Sequence, residues 1–222
     1  MERNRKFEYP SGDLGIEVAL KMNDRHEALY VWGLSHVNVS PNYLILDVGC
    51  GGGKMINKLA HSAVNGEVFG IDHSKDMVSY SKLYNAELIA EGRVEVLEET
   101  VEKISFPDNL FDLVTAVETY YYWPNFAEVL QEIKRVLKPN GKFLLVNELI
   151  KDGSFEIKNA PWISKIGAKL FTMDEIKNMM KGVGFVGVKV FTHKFFLGVI
   201  PRNGQFWNSV IGVKQSTSKK PE

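Results

Sequence analysis

Leu44-Ile45-Leu46-Asp47-Val48-Gly49-Cys50-Gly51-Gly52-Gly53 reads as a buried strand running straight into a glycine-rich turn, and Met55, Ile56, Leu59 and Ala60 then recur at helical spacing. Strand, glycine turn and helix in that order build a nucleotide site. Glycine lets the backbone approach a ligand that a side chain would hold off, and the helix aims free N–H groups and a partial positive charge at an anionic end. Spacing separates the possible ligands. A P-loop needs Gly, four residues, then Gly-Lys-Ser/Thr, but Gly53-Lys54 is followed by Met55 and Val48 stands where the first glycine belongs. A dinucleotide fingerprint counted from Gly49 and Gly51 meets Lys54 at its third position, with Gly53 one place early. Cys50, the sole cysteine, reads as a small buried loop residue rather than a nucleophile, because no paired His motif accompanies it.

Composition bounds the rest. The chain has 222 residues with no Pro/Ser-rich linker, so a single domain over 1–222 is expected, with a helical segment over 1–40, a core over 41–214 and a flexible tail over 215–222. Lys+Arg and Asp+Glu both number 27, giving zero formal net charge, so no global field draws the chain to nucleic acid or an anionic membrane. A small-molecule partner fits better; oligomeric state is left open. Met1 to Lys6 lead into no apolar signal region, and no run approaches the roughly 18 apolar residues of a membrane span. A cytoplasmic location is expected, and the single cysteine agrees with it.

Working outward along the chain, Val18, Met22, His26, Leu29 and Gly33 recur at roughly helical spacing, with Tyr30 and Trp32 beside them. Packing is the first reading of His26. Glu67–Asp72 is the second strand, and Asp72 falls 23 residues after Gly49. An acid there suits the two vicinal hydroxyls of a ribose, in a nucleoside or in NAD. Lying at the mouth of a crevice, this carboxylate is expected to be solvated, whereas Asp47 is expected to hold the glycine loop by accepting backbone N–H groups. Ser74 is an N-cap, and Met77, Tyr80, Tyr84 and Leu88 share a helix face. Arg93–Leu97 and Asp112–Val117 are strands three and four, the latter running into Glu118-Thr119-Tyr120-Tyr121-Tyr122-Trp123-Pro124. An apolar helix face from Phe126 to Leu137 is followed by a turn at Lys138-Pro139-Asn140-Gly141 and strand five, Lys142–Leu149. Residues 150–171, with Phe155, Pro161 and Trp162, keep no period and read as an insertion shaping a pocket. Thr172-Met173-Asp174-Glu175 is a capping box opening a helix closed by Gly182 and Gly184, and Val186–Lys194 with Phe206–Lys214 make a terminal antiparallel pair.

Several of these stretches together resemble one family. Asp47 to Gly53 matches an Asp-x-Gly-x-Gly-x-Gly motif; Ile104 to Asp112 is similar to Leu-Pro-Phe-Pro-Asp-x-x-Phe-Asp, with Ser105 for the first Pro; Arg135 to Gly141 is similar to Arg-x-Leu-Lys-Pro-Gly-Gly. These resemble the class I S-adenosylmethionine (SAM)-dependent methyltransferases, of the type 11-like, small-molecule kind. The resemblance implies an α/β, Rossmann-like, seven-stranded and mostly parallel sheet, with helices on both faces, an antiparallel terminal pair and an N-terminal helical lid. It also implies SAM lying across the carboxyl ends of the strands, with S-adenosylhomocysteine (SAH) as product. By the same resemblance Asp47, Gly49, Cys50, Gly51 and Gly53 form the cofactor turn, Asp72 takes the ribose, and His73 and Met77 flank the adenine. The family's Asp-Ala adenine contact falls on Thr100-Val101, so either Thr100 or Glu99 accepts the adenine N6 proton. Val117 and Glu118 lie beside the cofactor at the end of strand four, and Met22 to Leu34, with Trp32, resembles the family's lid. Two subclasses are disfavoured. The Asn/Asp-Pro-Pro-Tyr/Phe stretch of amino-methylating DNA and glutamine enzymes is absent, and Glu118-Thr119 does not supply the Asp cluster of catechol-type enzymes, so no metal is expected. The aromatic run could form a pocket for an apolar or cationic acceptor. If a general base is used, Glu118 and Tyr122 are the candidates. A SAM-binding sensor without turnover and an NAD-dependent reductase stand as alternatives.

Overall fold

Short runs rich in Val, Ile and Leu, too brief for helices and bounded by glycine or polar turns, become the strands. In the computed structural model, which describes residues 12–151, 160–161, 163–164, 167–194 and 206–216, these are β1 (Leu44–Val48), β2 (Glu67–Asp72), β3 (Val94–Glu98), β4 (Phe111–Val117), β5 (Leu137–Asn147), β6 (Phe185–Lys194) and β7 (Phe206–Lys214). They form one sheet in the order β3-β2-β1-β4-β5-β7-β6. The β1–β5 neighbours pair in parallel, and β7 runs antiparallel to both β5 and β6. The strand direction reverses its build order at β1 and β4, the place where a doubly wound sheet opens a crevice at its carboxyl ends.

Alternating side chains divide the core between two faces. Ile45 packs with Leu29, Met55, Ile56, Leu59 and Val78, while its neighbour Leu46 packs with Val129, Leu130 and Ile133. The first group brings α2 (Glu27–Leu34), α3 (Lys54–Ser62) and α4 (Lys75–Tyr84) onto one face, with the short α5 (Ala86–Ala90). The other face carries α6 (Phe126–Val136) and, through Ile176 and Met180, α7 (Met173–Gly182). The capping box of α7 forms as expected: Thr172 accepts from Glu175 N, and the Glu175 side chain accepts from Thr172 N.

Three local readings change. The helix after β2 ends at Tyr84, which is exposed, so Met77 and Leu88 do not share one continuous face. Asn85 turns inward instead, donating to Ser81 O at 3.0 Å and to Gly53 O at 3.1 Å, which spends its side chain on the glycine turn. Strand five starts at Leu137 and ends at Asn147, and the Lys138–Gly141 turn is an irregularity within it, with Asn140 at φ 66 and a register shift between Phe111 and Leu113. The N-terminal segment is two helices, α1 (Gly12–Arg25) and α2, broken at His26 (φ −94, ψ 3). Residues 1–11, 217–222 and much of 150–171, including Phe155 and Trp162, lie outside the described residues. No described helix is long and apolar enough to cross a membrane.

Candidate active site

A cavity of about 350 Å³ opens at the carboxyl ends of β1, β2 and β4. Its floor is Val48 to Gly52. One wall is Ile71, Asp72, His73 and Met77, a second is Glu99 to Glu102, and the far end is Val117, Glu118, Thr119, Tyr122, Trp123 and Pro124. Met22, His26 and Tyr30 from α1, α2 and the break between them close it from above.

The turn takes its shape from bonds to its neighbours. Gly49 N and Cys50 N both donate to Ile71 O, at 2.8 and 3.0 Å, and Gly53 N donates to Cys50 O at 3.0 Å. Gly49 sits at φ 69, and a Cβ there would lie 2.4 Å from Thr119 Cγ2, so only glycine fits between the turn and the end of β4. Asp72 accepts from Gly51 N and from Ser74 N, both at 2.9 Å. Between Gly49 and Gly53, only Gly52 N–H is left without a bond among the described residues. A diphosphate seeks several free N–H groups in such a turn. With most of its N–H groups already bonded, this one disfavours a diphosphate.

Neither acid sits as expected. Asp72 is buried and holds the loop through backbone N–H groups, because the glycine turn folds back over the end of β2. Asp47, also buried, accepts the Thr115 hydroxyl at 2.6 Å and, among the described residues, no backbone N–H. Burial pushes the Asp47 carboxyl up to about 7, against the opposing pull of the Thr115 bond, and burial raises Asp72 as well.

Of the expected site residues, Gly49, Cys50, Gly51, Asp72, His73, Met77, Glu99, Thr100, Val101, Val117, Glu118 and Tyr122 line the cavity. Asp47 and Gly53 stand behind its wall, supporting the turn. Trp32 does not reach it: the indole packs 4.6 Å from His36 and about 6 Å from Trp207 and His193, on the far side of α2. The chain turns at His26, so the face of this segment that meets the cavity is Met22, His26 and Tyr30, four residues apart, a spacing readable in the sequence. The cap is held down by Asn23 Nδ2 donating to Gly52 O at 2.9 Å and by Glu27 bridging Lys54 and Lys58 at 2.6 and 2.9 Å. The Glu99 carboxylate is engaged by the Ser105 N–H and hydroxyl.

At the far end, Glu118 has φ 56, a left-handed backbone that turns its carboxyl toward the cavity. It accepts from Tyr121 Oη at 3.0 Å and from Glu148 N. Burial, reinforced by the nearby Glu148 carboxylate, raises its pKa. The Thr119 hydroxyl, in the same wall, is buried with no partner among the described residues. An orphaned hydroxyl, a glycine-rich floor and walls carrying Asp72, Glu99 and Glu118 together fit a nucleoside ligand bearing positive charge.

Comparison with known proteins agrees. A family model described as a methyltransferase domain matches residues 46–145. The chain is 30% identical over 190 residues to the ubiquinone/menaquinone biosynthesis C-methyltransferase of Paraburkholderia phytofirmans, covering 75% of this chain and 76% of that one. It is 28% identical over 170 residues to a sterol 24-C-methyltransferase of Gibberella zeae, covering 73% of this chain but only 44% of that one. The chain thus spans less than half the length of the sterol methyltransferases it matches. In fold it is similar to the Haemonchus contortus phosphoethanolamine N-methyltransferase 2 solved with SAM, at a TM-score of 0.77 and 17% identity over 96% of this chain and 60% of that one. A SAM-dependent methyltransferase from Aquifex aeolicus gives a TM-score of 0.66 at 21% identity, covering 89% of this chain and 97% of that one. With the glycine turn, the strand order and the relatives in agreement, the chain belongs to the class I SAM-dependent methyltransferases.

Proposed function

We propose that this chain, as one domain acting in the cytoplasm, transfers the methyl group of SAM to a small-molecule acceptor by in-line displacement. The observation that carries this reading is the cavity itself, where a glycine floor with its N–H groups spent meets Asp72 on β2 and Glu118 past β4. SAM, when bound, supplies a methyl group made electrophilic by its sulfonium. The residues bind, orient and exclude water. Asp72, with both oxygens turned to backbone donors, keeps lone pairs for a ribose at the cavity wall. His73 and Met77 flank the adenine, and Thr100 is favoured over Glu99 for its N6, since the Glu99 carboxylate is already committed to Ser105. Cys50, its thiol pushed up by burial, is packing in this scheme. Met22, His26 and Tyr30 shut water out from above, so that most of the rate comes from alignment in a dried pocket. Glu118 is placed on the acceptor side as proton acceptor, ahead of Tyr122.

The test is a melting comparison. SAH and SAM are expected to raise the Tm and NAD to leave it unchanged, since a ligand at a hundred times its Kd adds about 2.7 kcal/mol. Equal shifts with NAD would overturn the cofactor assignment, and SAM binding with no turnover over a broad acceptor panel would favour a sensor.

A further inference from the structure

Three titratable groups meet at the acceptor end of the cavity. His26 at the α1–α2 break, Glu118 past β4 and Glu148 past β5 each place a side-chain nitrogen or oxygen within 4.8 Å of the others. The carboxylates are tied in place: Glu118 by Tyr121 and the Glu148 N–H, Glu148 by the Arg25 guanidinium at 3.1 Å and the Trp207 indole at 3.0 Å. The His26 ring is different. It is 7% exposed, lines the cavity and has no hydrogen-bond partner among the described residues. Its polar atoms are left for whatever occupies the cavity, water or a ligand.

Charge says which ligand. With both carboxylates ionised, Arg25 offsets one negative charge and leaves one over. That balance suits a monocation, while a divalent ion would also face the guanidinium. An ammonium bonded to three acceptors at about 2.8 Å in tetrahedral directions holds them roughly 4.5 Å apart, inside the 4.8 Å limit of the cluster. A tetrahedral divalent ion with bonds near 2.1 Å would hold them about 3.4 Å apart, also inside that limit, so the charge balance and not the spacing favours the monocation. The rings of Tyr30, Tyr122 and Trp123 line the same cavity and suit an alkylammonium, whose charge favours a π face.

We propose that His26 and Glu118, backed by Glu148, form a subsite for a protonated amine, and that the methyl acceptor of this chain is an amine nitrogen. The proposal rests on the methyltransferase reading above. The Glu118 carboxylate takes one proton from the ammonium. The freed lone pair forms the new N–C bond, the electron pair of the broken C–S bond stays on sulfur, and the product leaves as an N-methylammonium. Glu118 then returns its proton to solvent.

The test titrates the full chain by calorimetry, with and without saturating SAH. The probe is n-butylammonium chloride, the neutral control is 1-butanol of the same length, and manganese(II) chloride is the divalent control. Butylammonium is expected to bind at least about tenfold more tightly than butanol, and Glu118→Gln to abolish that preference while SAH affinity changes less than about threefold. Arg25→Gln, which removes the exposed cation beside the buried Glu148 carboxylate, is expected to strengthen butylammonium binding about threefold or more by uncovering the Glu148 charge. Should Glu118→Gln fail to fold, Arg25→Gln decides alone. Equal binding of amine and alcohol, no gain in Arg25→Gln, or manganese displacing butylammonium would each overturn the proposal. So would a tenfold loss of SAH affinity in Glu118→Gln, which would give the cluster to the cofactor. Failure of SAH to bind the parent chain sinks the methyltransferase reading instead, and the amine preference of the unliganded chain is still read beside it.

Discussion

Asp72→Ala separates a carboxylate that holds the fold from one that only waits for a ribose. In the structure it removes the acceptor of two buried bonds, from Gly51 N and Ser74 N, both 2.9 Å long. Bonds to a charged acceptor are worth about 1.5–3 kcal/mol each, and a stranded N–H costs its desolvation. Two effects reduce the sum. Gly51 borders the cavity, so water can reach its N–H, and the burial that raises the Asp72 pKa is relieved when the carboxylate is gone. The net expectation is a loss of about 2–3 kcal/mol. With a urea m-value of about 2–3 kcal/mol/M, the unfolding midpoint should fall by roughly 1 M. SAH affinity, measured by calorimetry on the folded variant, should fall about tenfold to a hundredfold, through the lost ribose contact and the loosened turn. Asp72→Asn retains one acceptor oxygen but sets an NH₂ group against the other N–H, so it should recover at most half of the stability. A midpoint within about 0.2 M of the parent would refute the reasoning: the two bonds would then carry nothing.

Gly49→Ala places a Cβ 2.4 Å from Thr119 Cγ2 at a φ of 69, so a stability loss of about 2–3 kcal/mol is expected together with loss of SAH binding; a variant that melts like the parent would show that the turn relaxes freely. The pH dependence follows from Asp47, whose folded carboxyl titrates at about 7. Below the unfolded value near 4 both states hold the proton; between there and 7 only the folded state does, so stability falls as pH rises through that window. Asp47→Asn keeps an acceptor for the Thr115 hydroxyl and removes the titration. It should flatten the melting profile between pH 4.5 and 8 and exceed the parent at pH 8 by about 1–3 kcal/mol, the raised Asp72 and Glu118 leaving a residual slope of the same sign. A parent profile flat over that range, with no gain in the variant, would contradict this account.

What the sequence made legible is what local chemistry decides. The strand runs, the glycine turn, the acid 23 residues on and the Thr172 capping box all follow from periods and spacings within a few residues, and the structure keeps them. The site's orientation depends on contacts far apart in the chain. Trp32 faces away because α1 and α2 break at His26 and because His193 and Trp207, from the terminal pair, pack against the opposite side of α2. Asp72 takes the loop-holding part expected of Asp47 because the turn after β1 folds over the end of β2, a pairing that strand patterns leave unspecified. Glu148 had a visible sign: Asn147 and Glu148 are polar residues ending an apolar strand. Its meeting with His26, 122 positions earlier, required the fold.

The raised acids at neighbouring strand ends also bear on how a charged ligand binds. Asp47 on β1, Asp72 on β2 and Glu118 past β4 are held toward their neutral forms chiefly by burial. A positive charge entering the cavity favours their ionised forms, so a cationic ligand is expected to release protons to the buffer as it binds and to bind more tightly as pH rises. This end of the sheet is a store of acidity made by desolvation alone, with no moving part.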